Sequence, residues 1–292
     1  MIVITAPTGA IGRQVLAHVL DGDEPVRVIA RDPARLPAGV HESAEVVPGS
    51  HGDADVVDKA FTGADAVFWL VPPDPRADSV EAAFVGFSRP ACDAFVRHGV
   101  ARVVGVSAVG RGFGRDAGIV TASLAMDDLI ADTGVSYRAL TMPAFMENLL
   151  RQVDLIRDHG MFCSPVAGDR AMPTVATRDV ATVATGLLLD RSWTGRGSVP
   201  LLGPEDLSFD ESAEIMSEVL GKPVTYRQIP AEAFKAATVG LGMSDAMAQG
   251  MADMLLAKND GLDNIEPRTP RSTTSTTFRT WCTEVLKPAL TR

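Results

Sequence analysis

The sequence predicts an α/β protein built on a doubly wound parallel sheet, and three observations support this prediction. An apolar run at residues 1–4 is joined by a glycine-containing turn to a segment whose apolar residues recur at helical spacing. Strand-like and helix-like segments then alternate through the first half of the chain, as parallel crossovers require. The pattern changes near residue 200. We therefore predict a Rossmann-type domain over residues 1–200 and a smaller α/β lobe over residues 201–292, packed against it.

The first turn, residues 5–12, has the features of a dinucleotide-binding site. It follows a strand and opens a helix, so backbone N–H groups and the helix dipole can both face a pyrophosphate. Glycines in such a turn let the main chain approach the phosphates closely. The turn residues predicted to bind the cofactor are Thr5, Thr8, Gly9, Ala10, Ile11 and Gly12.

The second predicted strand, residues 25–30, ends in Arg31 and Asp32, where such folds read the adenosine ribose. A guanidinium at this position can pair bidentately with a 2′-phosphate, whereas NAD-binding proteins have an acidic residue there that binds the ribose hydroxyl. Asp32 could still accept from the ribose hydroxyls. We predict that both residues bind the cofactor, with NADP favoured and NAD as the alternative.

Later elements of the first domain follow from the same patterns. Residues 66–71 form a continuous apolar run, typical of a strand buried on both faces of a parallel sheet. Other short apolar runs predict strands at residues 44–47, 102–106 and 135–140. Helical spacing predicts helices at residues 56–61, 80–98 and 122–133, and a further helix that begins within 173–181 and ends at 189.

The C-terminal lobe is predicted from a change of pattern after residue 203. Residues 209–220 are amphipathic, residues 224–229 read as a short strand, and residues 231–258 read as largely helical and rich in methionine. No internal repeat is found in the sequence.

Two strand ends are predicted to lie at the ligand site. Ligands of open α/β sheets bind outside the carboxyl ends of the strands. The strand at residues 66–71 ends in Val71 and Pro72, and the strand at residues 102–106 ends in Ser107. We predict that all three contact the cofactor. For Ser107 a hydrogen bond within its own loop is an equally good interpretation.

Composition excludes several classes of protein. The net charge of −10 argues against nucleic-acid binding, which needs a basic face. No apolar run reaches the roughly 20 residues of a membrane span, and Met1 leads directly into a strand, so we expect a cytoplasmic location and no membrane association. The three cysteines lack metal-binding spacing, and no metal is expected. A protein partner or a homodimer is left open.

The sequence also resembles the NmrA-like family, atypical members of the short-chain dehydrogenase/reductase superfamily. The resemblance covers about the first two thirds of the chain, although Ala6 stands where the family has a glycine. It implies an NAD(P)-binding Rossmann domain, a nicotinamide-side loop after residue 71, a substrate-orienting role for Ser107, and cofactor contacts from Pro143 and Phe145. The matching residues are Thr5, Thr8, Gly9, Ile11, Gly12, Arg31, Asp32, Pro33, and the stretches 63–67, 103–107 and 143–148.

The superfamily's usual proton donor is missing. Typical members use a tyrosine with a lysine four residues later, but Tyr137 and Tyr226 are followed at that spacing by Thr141 and Pro230. Placed relative to residues 133–134, the positions of the family's tyrosine and lysine, the dyad positions, correspond to Ser123 and Asp127. A serine and an aspartate cannot together replace the Tyr–Lys pair as proton donor.

Four methionines at positions 243, 247, 251 and 254 share one helix face. Core packing is the simpler interpretation of such a stripe. Methionine also adapts to flat apolar ligands, so the stripe could instead line a pocket. The residues predicted to bind substrate in that case are Phe145, Met146, Phe234, Met243 and Met247.

These observations favour an NAD(P)H-dependent oxidoreductase that passes hydride to a quinone-like or polycyclic aromatic acceptor. Hydride addition to a quinone yields a stabilised phenolate, which solvent can protonate without a Tyr–Lys pair. One alternative is a tailoring enzyme of aromatic polyketide metabolism, and another is a non-catalytic, dinucleotide-responsive sensor. His51 is predicted to be a surface or capping residue and not a catalyst.

Overall fold

A computed structural model describes residues 1–291 and contains a central sheet of seven parallel strands. The order of its strands is the doubly wound arrangement, with a reversal of strand order next to the first strand. The predicted fold class is confirmed. The twelve strands within the described residues are β1 (Ile2–Thr5), β2 (Val26–Ala30), β3 (Glu45–Pro48), β4 (Ala66–Trp69), β5 (Arg102–Ala108), β6 (Ser136–Met142), β7 (Ala144–Phe145), β8 (Met161–Ser164), β9 (Met172–Val175), β10 (Arg196–Pro200), β11 (Asp206–Leu207) and β12 (Thr225–Gln228). The spatial order of the central sheet is β3-β2-β1-β4-β5-β6-β10.

Helices cover both faces of this sheet, because β1, β2 and β4 are buried on both sides and must be shielded from water. One apolar cluster joins the sheet to the helices at residues 54–61, 87–98 and 119–132, and a second joins it to the helices at residues 12–20 and 177–189. The helices are α1 (Gly12–Leu20), α2 (Val40–Ser43), α3 (Ala54–Phe61), α4 (Phe87–His98), α5 (Ile119–Asp132), α6 (Val153–His159), α7 (Thr177–Leu189), α8 (Phe209–Leu220), α9 (Ala231–Gly240), α10 (Asp245–Asn259), α11 (Phe278–Trp281) and α12 (Lys287–Ala289).

The smaller lobe is assembled from two separate parts of the chain. Strand β8 pairs with β12, and β9 pairs with both β7 and β11, so residues 144–175 supply strands to the segment after residue 200. One apolar cluster joins these parts, with Ile156 and Phe162 packed among Met216, Trp281 and Leu286. The residues after 200 therefore do not build this lobe alone.

Two segments predicted to be helical contain local departures from a single regular α-helix. Residues 231–258 form α9 and α10, because Gly242 takes a φ of 93° and the Ser244 side chain then caps a new helix by accepting from the Met247 N–H. Residues 80–98 are helical throughout, as predicted, and include a π-helical turn, Ala82–Gly86, ahead of α4. In the stretch 173–181, residues up to Val175 belong to β9, and α7 starts at Thr177.

Within residues 1–291, none of the helices combines the length and the apolar character needed to cross a membrane.

Candidate active site

The turn between β1 and α1 brings main-chain atoms into close contact. The Gly9 N–H donates to the Ala6 carbonyl oxygen at 3.0 Å, and Ala6 itself takes a φ of 50°. A Cβ on Gly12 would lie 2.2 Å from that same oxygen, so only glycine fits where α1 begins. Thr8 and Ala10 are exposed beside it. The main chain of the turn is therefore tightly packed against itself, while its outer side is open to solvent. This geometry suits a pyrophosphate at a helix N-terminus.

The Thr5 hydroxyl is committed to hydrogen bonds within the protein. It donates to the Phe68 carbonyl oxygen at 2.9 Å and accepts from the Leu70 N–H at 2.9 Å. The side chain is fully buried and ties β1 to the end of β4. Any cofactor contact of Thr5 would have to come from its backbone.

Arg31 and Asp32 lie at the carboxyl end of β2, and both are exposed. The Asp32 carboxylate accepts from the Ala34 N–H at 3.1 Å and caps a short 3₁₀ turn, Pro33–Arg35. One Asp32 oxygen is thus committed to the protein, whereas the Arg31 guanidinium reaches solvent. This arrangement leaves Arg31 better placed than Asp32 to meet the adenosine end of a dinucleotide.

The prediction for His51 is wrong in one respect, since His51 is neither a surface nor a capping residue. It is buried between the rings of Trp69 and Phe87, and its Nε2 lies 2.9 Å from the Leu70 carbonyl oxygen. Burial lowers its pKa to about 4, with the Arg31 charge acting in the same direction. His51 is a neutral structural residue beneath the strand ends.

A chain of hydrogen bonds joins the turn between β1 and α1 to Glu147, which precedes Asn148 and follows the predicted substrate residue Met146. Gln14 Nε2 donates to the Ala10 carbonyl oxygen at 2.6 Å and to Thr177 Oγ1 at 3.2 Å. The Thr177 N–H and hydroxyl in turn donate to the Glu147 carboxylate, at 3.1 and 2.8 Å. Glu147 thus satisfies the first turn of α7 and sits next to Met146. The sequence did not indicate this chain, because its three members are far apart along the polypeptide.

Ser107, Asp127 and Tyr137 form a buried polar cluster between β5, α5 and β6. Ser107 Oγ donates to one oxygen of the Asp127 carboxylate, and the Tyr137 hydroxyl donates to the other at 2.6 Å. Asp127 is only 3% exposed, and its two partners are similarly buried. Tyr137 fits because Gly105 leaves room for it, since a Cβ there would lie 2.2 Å from the tyrosine oxygen.

Burial dominates the electrostatics of this cluster. It raises the pKa of Asp127 to about 6, although the hydrogen bonds from Ser107 and Tyr137 pull in the opposite direction. The pKa of Tyr137 is raised well above its ordinary value by burial and by the Asp127 charge. Near neutral pH a part of the Asp127 population therefore carries a proton. The sequence placed Asp127 at a dyad position but could not show that Tyr137 reaches it.

The remaining predicted residues fall into two groups. Val71, Pro143 and Met146 are buried, and Met247 is 3% exposed within the core cluster of α4 and α5, which favours the packing interpretation for that methionine. The partly or fully exposed residues, which keep a surface for ligands, are Pro72, Phe145, Phe234 and Met243.

A cavity of about 330 Å³ lies beside the loop that follows β5. Residues 110–115 of this loop form one wall, and Val120, Leu124 and Asp128 of α5 form the other. The cavity has the volume of a small-molecule site and begins three residues after Ser107.

Comparison with known proteins agrees with this architecture. A family model described as NAD(P)H-binding matches residues 7–191, and the NmrA-like family model matches residues 126–282. A (4-alkanoyl-5-oxo-2,5-dihydrofuran-3-yl)methyl phosphate reductase of Streptomyces griseus is 33% identical over 239 residues, which cover 81% of this chain and 80% of the relative. An NAD(P)H azoreductase of Xenophilus azovorans is 27% identical over 281 residues, covering 94% and 93%.

Solved structures show the same fold. The NADPH-dependent quinone oxidoreductase of Escherichia coli superposes with a TM-score of 0.79 at 21% identity, covering 98% of this chain and 99% of the other. The triphenylmethane reductase of Citrobacter sp. gives a TM-score of 0.80 at 20% identity, covering 100% and 99%. The tight turn between β1 and α1, the doubly wound sheet and the family matches lead to one assignment: the chain is an NAD(P)H-dependent oxidoreductase that belongs to the NmrA-like family.

Proposed function

We propose that this enzyme transfers hydride from NADPH to a quinone-like or polycyclic aromatic acceptor. The observation that carries the proposal is the identity of the two dyad positions. Ser123 and Asp127 are both buried there, and Asp127 is tied to Ser107 and Tyr137, so no lysine ammonium lowers the pKa of a tyrosine. An acceptor that suits this site is one whose reduced form is a weak base.

Quinones meet this requirement. Hydride addition to a quinone gives a phenolate-like anion. Its conjugate acid, a phenol, has a pKa of about 10, far below the pKa of the alcohol formed from a simple ketone. Stabilisation of the anion by its own ring replaces part of the work that a Tyr–Lys pair does for carbonyl substrates. The relatives support this class, because their names include a quinone oxidoreductase, an azoreductase and a reductase of triphenylmethane dyes.

The residues of the first turn fit the cofactor. Gly9, Ala10 and Gly12 would hold the pyrophosphate through the start of α1, and Arg31 would pair with a 2′-phosphate. NADPH, when bound, supplies the hydride. The acceptor would then lie at the carboxyl ends of β4 and β5, beside Pro72 and Ser107 and near the cavity of the following loop.

Arg31→Ala should weaken NADPH binding about 10- to 100-fold while changing NADH binding little. The reason is that only NADPH carries the phosphate, and a lost charge-assisted hydrogen bond costs about 1.5–3 kcal/mol. Dissociation constants for both cofactors, measured by fluorescence titration, check this. Arg35→Ala is the matched control, because Arg35 is an exposed arginine four residues away. Equal losses for NADPH and NADH would show that Arg31 does not read the 2′ position.

The activity itself is tested by adding menadione to the purified protein with NADPH. The proposal expects NADPH consumption that depends on menadione and saturates with it. A simple aliphatic ketone at the same concentration should give no consumption. NADPH oxidation with the ketone but not with menadione would contradict the acceptor class.

A further inference from the structure

We propose that the Ser107 hydroxyl delivers the proton to the reduced acceptor and that Asp127 replaces it, with Tyr137 as the positioning residue beneath them. This inference deepens the proposed function and rests on it. It assigns a proton route to a cluster that lacks both members of the usual dyad.

The three residues form a column that runs from the core to the ligand edge of the sheet. Tyr137 lies opposite Val103 in the register of β5 and β6, and its side chain rises to the level of Gly105. Asp127 comes next, and Ser107 lies at the carboxyl end of β5. Since the phenol holds one carboxylate oxygen from the core side, the other oxygen is directed to Ser107.

This order gives the proton a direction. Tyr137 is 2% exposed and shut inside the core, so it cannot exchange with an acceptor. Ser107 is the member nearest the strand end where open α/β sheets bind ligands. A serine alone is a weak acid. The Ser107 hydroxyl donates to the Asp127 carboxylate, but once Asp127 is protonated this hydrogen bond reverses and the carboxyl donates to Ser107 Oγ. The Ser107 proton is then free to leave, and Asp127 can replace it.

Hydride, carrying two electrons, leaves NADPH and adds to the quinone, giving NADP⁺ and a hydroquinone monoanion. The Ser107 O–H bond breaks as its proton joins the anionic oxygen, and the Asp127 O–H bond breaks as its proton joins Ser107 Oγ. After the product leaves, a solvent proton reaches the buried Asp127 carboxylate by way of Ser107 Oγ. One NADPH, one quinone and one proton yield one NADP⁺ and one hydroquinone.

The charged groups around Asp127 are few. Arg111, from the loop after β5, favours the carboxylate, while Asp128 on α5 disfavours it. Arg111 and Asp128 are themselves paired at 3.0 Å, so their effects largely offset. From α4, Cys92 faces Tyr137 and its own thiol pKa is raised to about 12, so it stays neutral. Burial is left as the dominant influence, and it keeps the carboxyl able to hold a proton near neutral pH.

Steady-state pH profiles with menadione and saturating NADPH test the route. In the wild type, kcat should fall as pH rises above the pKa of Asp127, because the acid form is lost. Asp127→Asn and Ser107→Ala should each lower kcat about 100-fold near neutral pH, within the range for loss of general acid catalysis. Both variants should also lose this fall of kcat with rising pH, the alkaline limb of the pH profile. Asp132→Asn, at the exposed end of the same helix, should behave as wild type.

Tyr137→Phe is a second test variant, because it should shift the pH profile of kcat in a defined direction. The phenol stabilises the carboxylate form of Asp127, so removing it should raise the pKa of Asp127 and shift the limb to higher pH. A purely structural role for Tyr137 would lower activity at every pH without moving the limb. Tyr226→Phe is the matched control, because that hydroxyl donates to the Ser164 carbonyl oxygen in the smaller lobe.

Stability gives a readout that needs no cofactor. The pKa of Asp127 is raised on folding, so the group contributes stability below its ordinary pKa of 3.8 and loses that contribution as pH rises through about 6. Between about pH 5 and about pH 7.5, wild type should therefore lose unfolding free energy relative to Asp127→Asn. If wild type and Asp127→Asn show the same pH dependence of unfolding free energy, the claim that Asp127 holds a proton in the folded protein is overturned.

The outcomes separate the two proposals. If the wild type fails to oxidise NADPH with menadione while the stability difference is present, the acceptor class is wrong, and the proton route for that acceptor is overturned with it. If the wild type is active and Asp127→Asn or Tyr137→Phe keeps the wild-type limb, the proton route alone is overturned. Loss of the limb in Asp127→Asn together with its upward shift in Tyr137→Phe supports the route.

Discussion

Gly12→Val is expected to lower NADPH affinity more than about 100-fold, or to prevent binding altogether. The added Cβ would lie 2.2 Å from the Ala6 carbonyl oxygen and 3.1 Å from that of Thr5, and both are backbone atoms that cannot swing aside. The start of α1 must therefore move away from the turn. The N–H groups that we propose to face the pyrophosphate then lose their alignment, and each lost charge-assisted hydrogen bond costs about 1.5–3 kcal/mol.

Fluorescence titration with NADPH measures this effect, and circular dichroism establishes whether the variant is folded. Gly186→Val is the matched control, because a Cβ at that exposed position of α7 meets no atom within 4 Å. A folded Gly12→Val protein with wild-type NADPH affinity would remove the first turn from the cofactor site.

Met247→Ala should cost about 2–5 kcal/mol of unfolding free energy and leave the KM for menadione unchanged. Met247 is 3% exposed and belongs to the core cluster with Phe84 and Met126, so its truncation leaves a cavity inside packed structure. Loss of core packing lowers the melting temperature without removing a contact made by substrate.

Met243→Ala is the informative comparison, because Met243 is only partly buried against the same cluster. It should lose less stability, and it can raise the KM if it also contacts an acceptor, as its partial exposure permits. A raised KM with a normal melting temperature for Met247→Ala would place that residue in the substrate site.

The first domain was predictable because its signals are local. An apolar run such as residues 66–71 can only be a buried strand or a short helix, and the flanking polar loops decide between them. The tight turn before α1 was likewise readable, since glycine spacing reports directly on close main-chain approach. Boundaries were accurate to one or two residues for β2, β3 and α3.

The smaller lobe and the polar cluster depended on contacts between distant residues. Strand β8 is four residues long and pairs with β12 about sixty residues later, which no local pattern indicates. Thr141, four residues after Tyr137, argues against a Tyr–Lys pair at that tyrosine, yet the parallel register of β5 and β6, together with Gly105, brings Tyr137 to Asp127. His51 was misjudged because its burial depends on Trp69 and Phe87, from two other elements.

The central claim is that hydride passes from NADPH directly to a quinone bound at the strand ends. Single-turnover oxidation of NADPH deuterated at the transferable position, with menadione in excess, tests it most directly. The account predicts slower loss of reduced-nicotinamide absorbance than with ordinary NADPH, with one hydroquinone formed per NADPH consumed. Equal rates with the two cofactors when hydride transfer is rate-limiting, or NADPH loss without hydroquinone, would contradict it.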